Sequence, residues 1–224
     1  MELRERFHRQ LNELRAEILA MGSQVEEQLH LALAALGTLD DDKIQAIYTL
    51  DEEVNRRRYA IEDTCFNLIA IQHPTARDLR LVLSALSMAV DLERMGDQTK
   101  GIAKAMRHMR RLPALRRPAL LEQMGLAGGR MLRQAMTAYA ENNAALALSV
   151  PLMDEDVDSQ YARIYADLMM QMAQSDTTDE VEAIYEILRS ARELERFGDL
   201  AANVAERVVY LITGSMEHMQ DEDA

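Results

Sequence analysis

The chain has 224 residues, enough for one domain or two small ones, and a formal charge of −13, which excludes nucleic acid as the main partner and suits cations or a basic protein patch. Hydrophobic residues make up 48% and aromatics only 4%, a composition with enough material for a core but few strand formers. One cysteine excludes an internal disulfide and a multi-thiolate zinc site.

The periodicity predicts six helices. The first runs from about Leu3 to Leu36, with Leu11, Leu14, Ile18, Met21, Val25, Leu29 and Ala32 on its apolar stripe and Gly37 as its C-cap. Asp40, Asp41 and Asp42 supply the cap of the second, Lys43 to Ile71, striped by Ile47, Leu50, Val54, Ile61, Cys65 and Leu68. Arg56-Arg57-Arg58 reads as a solvated face and Cys65 as an inert core thiol. Pro74 opens the third helix, Thr75 to Arg110, whose apolar seam is Leu79, Leu83, Leu86 and Val90. Pro113 and Pro118 bracket a short basic link. The fourth helix spans Ala119 to Ala140, with irregularity expected at Gly125, Gly128 and Gly129. The fifth covers Ala144 to Ala173, kinked or delayed by Pro151, and the sixth Asp179 to Ile212, ended by Gly214. Residues 215–224 read as a frayed polar tail.

Two copies of one unit are visible in this order. The expected fold is all-α, two pseudo-symmetric three-helix bundles in tandem over residues 1–112 and 118–214. The opening residues are charged, and the longest mostly apolar run, Leu81 to Val90, is far short of the ~20 residues of a membrane span, so a cytoplasmic protein is expected.

The chemistry lies in the repeat. Asp91-Leu92-Glu93-Arg94-Met95-Gly96-Asp97 returns 102 positions later as Glu193-Leu194-Glu195-Arg196-Phe197-Gly198-Asp199. Glu93 and Asp97, like Glu195 and Asp199, are four apart and share a helix face. Glu93 and Asp97 continue the seam that begins at Leu79; the second seam runs Val181, Tyr185, Leu188, Arg192, Glu195, Asp199. The second helix of each unit adds Asp51/Asn55 and Asp154/Asp158. If these pairs meet, three or four carboxyl-type groups converge, a donor set for hard cations such as Mg²⁺, Mn²⁺, Ca²⁺ or iron. The alternatives are solvated carboxylates, or pairing with Arg94 and Arg196. Asn203 and Glu206 extend the second face, where the first has Gly101 and Lys104, so the second site is the richer in ligands. Glu5-x-x-His8 and Glu27-x-x-His30 lie on one helix, unlike the two-helix pairs of di-iron bundle enzymes, and no nucleotide or hydrolase motif is present.

The duplicated Leu-Glu-Arg-x-Gly-Asp, with Gln72-x-Pro74-x-Ala76-x-Asp78-Leu79-Arg80 ahead of the first copy and Asn203 and Glu206 after the second, resembles the PhoU family of phosphate-uptake regulators over nearly the whole chain. The resemblance implies a cytoplasmic negative regulator, not an enzyme, linking the phosphate ABC transporter and its ATPase subunit to the sensor histidine kinase of the Pho regulon. It also implies a homodimer that reaches the membrane only through partners. Some members carry multinuclear iron or zinc clusters on paired acidic motifs. The matching positions here are Glu93, Asp97, Glu195, Asp199, Asp154, Asp158 and Asp51, with Asn203. Gln98 and Leu200 stand where the family often has His, and Asn55 where it has an acid. The remaining readings are an accessory regulator of a low-affinity phosphate permease and a metal-dependent bundle enzyme or metal store.

Overall fold

The computed structural model describes residues 2–112 and 118–215. The basic link at 113–117 and the tail at 216–224 lie outside the described residues. Within them the chain is all-α: α1 (Glu2–Thr38), α2 (Asp41–Gln72), α3 (Ala76–Met109), α4 (Ala119–Glu141), α5 (Ala144–Leu148), a 3-10 turn (Pro151–Met153), α6 (Asp154–Gln174) and α7 (Thr178–Thr213). No helix among them is long and apolar enough to cross a membrane.

The helix ends follow local chemistry. The Asp40 side chain accepts from the amides of Asp42 and Lys43 at the start of α2, and Thr177 from Glu180 at the start of α7. Gly214, at φ +78°, closes α7 with its amide on the Tyr210 carbonyl. Two expectations fail here. Gly37 does not end α1; the helix continues to Thr38 and the left-handed residue is Leu39. Pro74 stands in the link, and α3 begins after Thr75. Pro151 interrupts the fifth segment as expected: it lacks an amide to continue α5, so a 3-10 turn intervenes and α6 starts only at Asp154.

The chain forms two three-helix bundles in tandem, α1–α3 and α4–α7, the second with its middle helix broken into α5, the 3-10 turn and α6. Within each, α1/α4 and α3/α7 pack deeply, while α2 and α6 bury one stripe each. The bundles join through α3 against α7 and α1 against α4. At the second junction Gly22 lies under Met136 and Gly125 under Leu33, a symmetric exchange in which the missing Cβ makes room for the opposing side chain. Gly128 and Gly129 receive Phe197 and Leu29 in the same way. The irregularity expected around these glycines is therefore absent: α4 is continuous, because tertiary packing outweighs their weak helix propensity of about 1 kcal/mol each.

The third-helix seam also needs correction. Leu79, Leu86 and Val90 are only half-buried and Leu83 is exposed. The buried face is the neighbouring stripe Val82, Ala85, Met88, Ala89, Leu92, Met95, Gly96 and Thr99. α3 packs against α1, α2 and α7 at once, so its inner face is broad and built of small residues and methionines.

Candidate metal centre

Contacts between Gly101 and Glu193, His108 and Glu186, and Arg80 and Gly214 set α3 antiparallel to α7, with Gly96 and Gly198 level at the midpoint. The duplicated motif therefore occupies the middle of the molecule. Its glycines let the second helix of each unit come close. A Cβ on Gly198 would stand 2.8 Å from Asp154 Oδ1 and 3.4 Å from Val157. A Cβ on Gly96 would meet Gln28, Val54 and, at 3.9 Å, Asp51. Gly198 thus lets the Asp154 carboxyl of α6 lie against the motif helix, while at Gly96 the tight neighbour is the Gln28 side-chain oxygen of α1.

In the second unit the carboxylates converge. Single oxygens of Asp154, Asp158 and Asp199 all lie within 4.8 Å of one another. Burial, then the charges of Asp199 and Asp158, push the Asp154 carboxyl up to about 7. Asp154 shares a hydrogen bond with Asp199, which offsets part of the rise that burial and Asp158 impose on Asp199. Below about pH 7 Asp154 is thus the protonated partner, donating to Asp199, and above it the group is a carboxylate. Glu195 is raised by burial and by the charges of Asp199 and Asp158, with Arg192 and Arg196 opposing. Asp154 Oδ1, the atom pressed against Gly198, is buried and has no hydrogen-bond partner. A carboxylate oxygen sealed from water and without a donor is costly. Together, three converging acids and this orphaned oxygen fit a hard divalent cation.

The first unit brings its acids together in the same place but supplies the positive charge itself. Asp51, nearly fully buried, receives Lys100 Nζ at 2.5 Å and the Asn55 amide. That bond holds the lysine above its ordinary value. Arg58 stands 3.7 Å from Glu93 and also pairs with Glu62. Burial and the charges of Asp97 and Asp51 raise the Glu93 carboxyl against Arg58, and burial and Asp51 raise that of Asp97 against Lys100 and Arg58. With a lysine on its most buried carboxylate, this cluster does not fit a metal as the second does. The equivalent positions in the second unit are Tyr161 for Arg58 and Ala202 for Lys100, neither cationic.

Lys100 and Arg58 are the residues that sequence reasoning missed. Their helical spacing was visible, Lys100 one turn beyond Asp97 and Arg58 two turns beyond Asp51, but their partners lie on the other helix of the pair. The Arg56–Arg58 run is not simply solvated, since Arg57 bonds Gln24 and pairs with Glu17 while Arg58 serves the acid cluster. Asn203 lies one turn beyond Asp199 and is exposed. Glu206 does not join the site; it is half-buried near Asp91 and Arg207.

Comparison with known proteins matches both units. A family model described as PhoU domain covers residues 18–106 and 121–208. A Streptococcus pneumoniae protein named phosphate-specific transport system accessory protein PhoU homolog is 36% identical over 214 residues, 96% of this chain and 98% of that protein. The Escherichia coli K12 accessory protein PhoU is 31% identical over 210 residues, covering 93% and 86%. The crystal structure of PhoU from Pseudomonas aeruginosa superposes with a TM-score of 0.88 at 32% identity, covering 93% of this chain and all of that one. The Streptococcus pneumoniae regulatory protein gives 0.85 at 34% identity, covering 94% and 98%.

Proposed function

The chain belongs to the PhoU family, and from that premise we propose that it is an accessory protein of a phosphate-specific transport system that restrains phosphate uptake and the phosphate-starvation response. The observation that carries this is the match of both repeats, end to end, to proteins so named. In this reading the chain is a cytoplasmic, non-enzymatic adapter, able to self-associate. It touches the ATPase side of the phosphate transporter and the sensor histidine kinase that controls the starvation genes. Its surface charge of −13 repels free phosphate, which favours sensing through partners rather than by direct capture.

The second-unit cluster is the metal centre of this reading, with Asp154, Asp158 and Asp199 as ligands and Glu195 beside them. Mg²⁺, Mn²⁺, iron or zinc held there by these residues would supply positive charge to three crowded carboxylates and would tie α6 to α7. The protein's own residues do the rest: Gly198 seats Asp154, and Val157 and Met131 close the inner side. The test of the regulatory role is deletion of the gene in its own host, with a reporter for a starvation-induced phosphatase in phosphate-rich medium. The reporter should be switched on and should be silenced again by the wild-type gene on a plasmid. A reporter that stays repressed, with no second copy of the gene present, refutes the adapter role.

A further inference from the structure

The outer faces of the two α-hairpins carry apolar side chains that packing within the chain does not explain. The contacts of Asp51 with Lys100 and of Arg58 with Glu93 and Glu62 trace the stripe of α2 that borders α3. Phe66 is the next turn of that stripe, and it is 71% exposed. Cys65 meets the Val82 carbonyl, which sets Phe66 level with Leu83, itself 40% exposed. The equivalent positions of the second unit, Met169 and Tyr185, are 43% and 53% exposed. Tyr165, one turn before Met169, is exposed too. Both units therefore hold a surface groove, α2/α3 and α6/α7, with an apolar outer end and an acidic inner end. The inner ends are Glu93 and Asp97 in one unit and Asp158, Glu195 and Asp199 in the other. Because α3 runs antiparallel to α7 with the motifs level, the acidic ends of both grooves lie towards the middle of the molecule.

Exposed apolar side chains grouped at matched positions in this way mark an interaction surface. The charge at the inner ends selects the occupant. A second copy of this chain would set acidic grooves against each other, and an anionic lipid surface would meet the same carboxylates. From Asp158 to Met169 the groove is about 16 Å long, about three helical turns. We propose that each groove docks one amphipathic helix of a partner protein, apolar residues over Phe66/Leu83 or Met169/Tyr185 and basic residues over the carboxylates at the centre. The chain is then bivalent, and in its metal-free form the second groove binds more tightly because Lys100 and Arg58 neutralise part of the first; a cation held by Asp154, Asp158 and Asp199 would weaken the basic end of that contact. The proposal gives the adapter reading a surface and rests on that reading for its partner, but its test is separate from the reporter.

The probe is a fluorescent 18-residue peptide with leucines at helical spacing along one face and lysines confined to its last two turns. A peptide of the same composition in scrambled order is the control. Both are titrated against the full chain at physiological salt in EDTA, and anisotropy is read. The patterned peptide should occupy two sites per chain, at least tenfold more tightly than the scrambled one. Met169→Ser with Tyr185→Ser should remove the tighter site, and Phe66→Ser with Leu83→Ser the weaker; helix content by circular dichroism should not change. Equal binding of the two peptides, or binding that survives both pairs of substitutions, overturns the proposal. So does concentration-dependent dimerisation abolished by the same substitutions, which assigns the grooves to a second copy, or recruitment to phosphatidylglycerol vesicles through them. If peptide binding holds while the reporter stays repressed in the deletion strain, the docking surface stands and the regulatory role falls.

Discussion

Asp154→Asn in the metal-free protein tests the electrostatics of the second cluster. The Asp154 carboxyl moves from 3.8 in the unfolded chain to about 7 in the folded one. A carboxyl raised on folding favours the folded state below its unfolded value and loses that contribution as pH rises through the folded value. The window here runs from 3.8 to about 7. A shift of this size corresponds to at most about 4 kcal/mol, and solvent screening at a half-buried site lowers the effect to about 1–2 kcal/mol. Asparagine keeps the shape, cannot ionise, and still donates to Asp199. The variant should therefore gain little at pH 5 and about 1–2 kcal/mol at pH 8, a midpoint rise of roughly 2–8 °C for a chain of this size. Urea denaturation at both pH values, in EDTA, measures it. A variant less stable than wild type at pH 8, or a gain that does not change with pH, would refute the reasoning.

Lys100→Ala leaves Asp51, 2% exposed, without its cation; it should cost about 2 kcal/mol at pH 7, and Asp51→Asn added to it should recover most of that loss in a double-mutant cycle. Gly198→Ala places a Cβ 2.8 Å from Asp154 Oδ1; cation affinity by titration calorimetry should fall at least tenfold, while stability changes by no more than about 1 kcal/mol because alanine improves the helix. Cys65 is buried, with its thiol pushed up to about 12 by desolvation, so at pH 8 a disulfide reagent should react only as fast as the chain opens, and an immediate reaction would contradict its placement.

The helices were legible because six segments repeat apolar residues at steps of three and four, and the stripe of α1 from Leu11 to Ala32 is buried as read. Methionines such as Met21, Met88, Met95 and Met131 fill the core, the bland reading of a Met-rich chain. The third-helix seam misled because leucine outranks alanine as a core signal. Where one helix faces three others, small residues go inside and leucines are left at the rim. The glycines of α4 misled for a related reason: propensity is local, whereas Leu33, Phe197 and Leu29 come from elsewhere in the chain. The acidic face was legible from the duplication alone. Its division into a neutralised cluster and a purely acidic one was not, because Lys100 and Arg58 reach the acids across the α2/α3 interface.

The most direct test is the metal content of the full chain, purified without an affinity tag, measured by mass spectrometry after exhaustive dialysis. Wild type should retain at least one divalent cation per chain. Asp154→Asn with Asp158→Asn should lose it, while Glu93→Gln with Asp97→Asn should keep it. Equal metal in all three proteins, or loss only with the first-unit pair, would contradict the assignment of the centre to Asp154, Asp158 and Asp199.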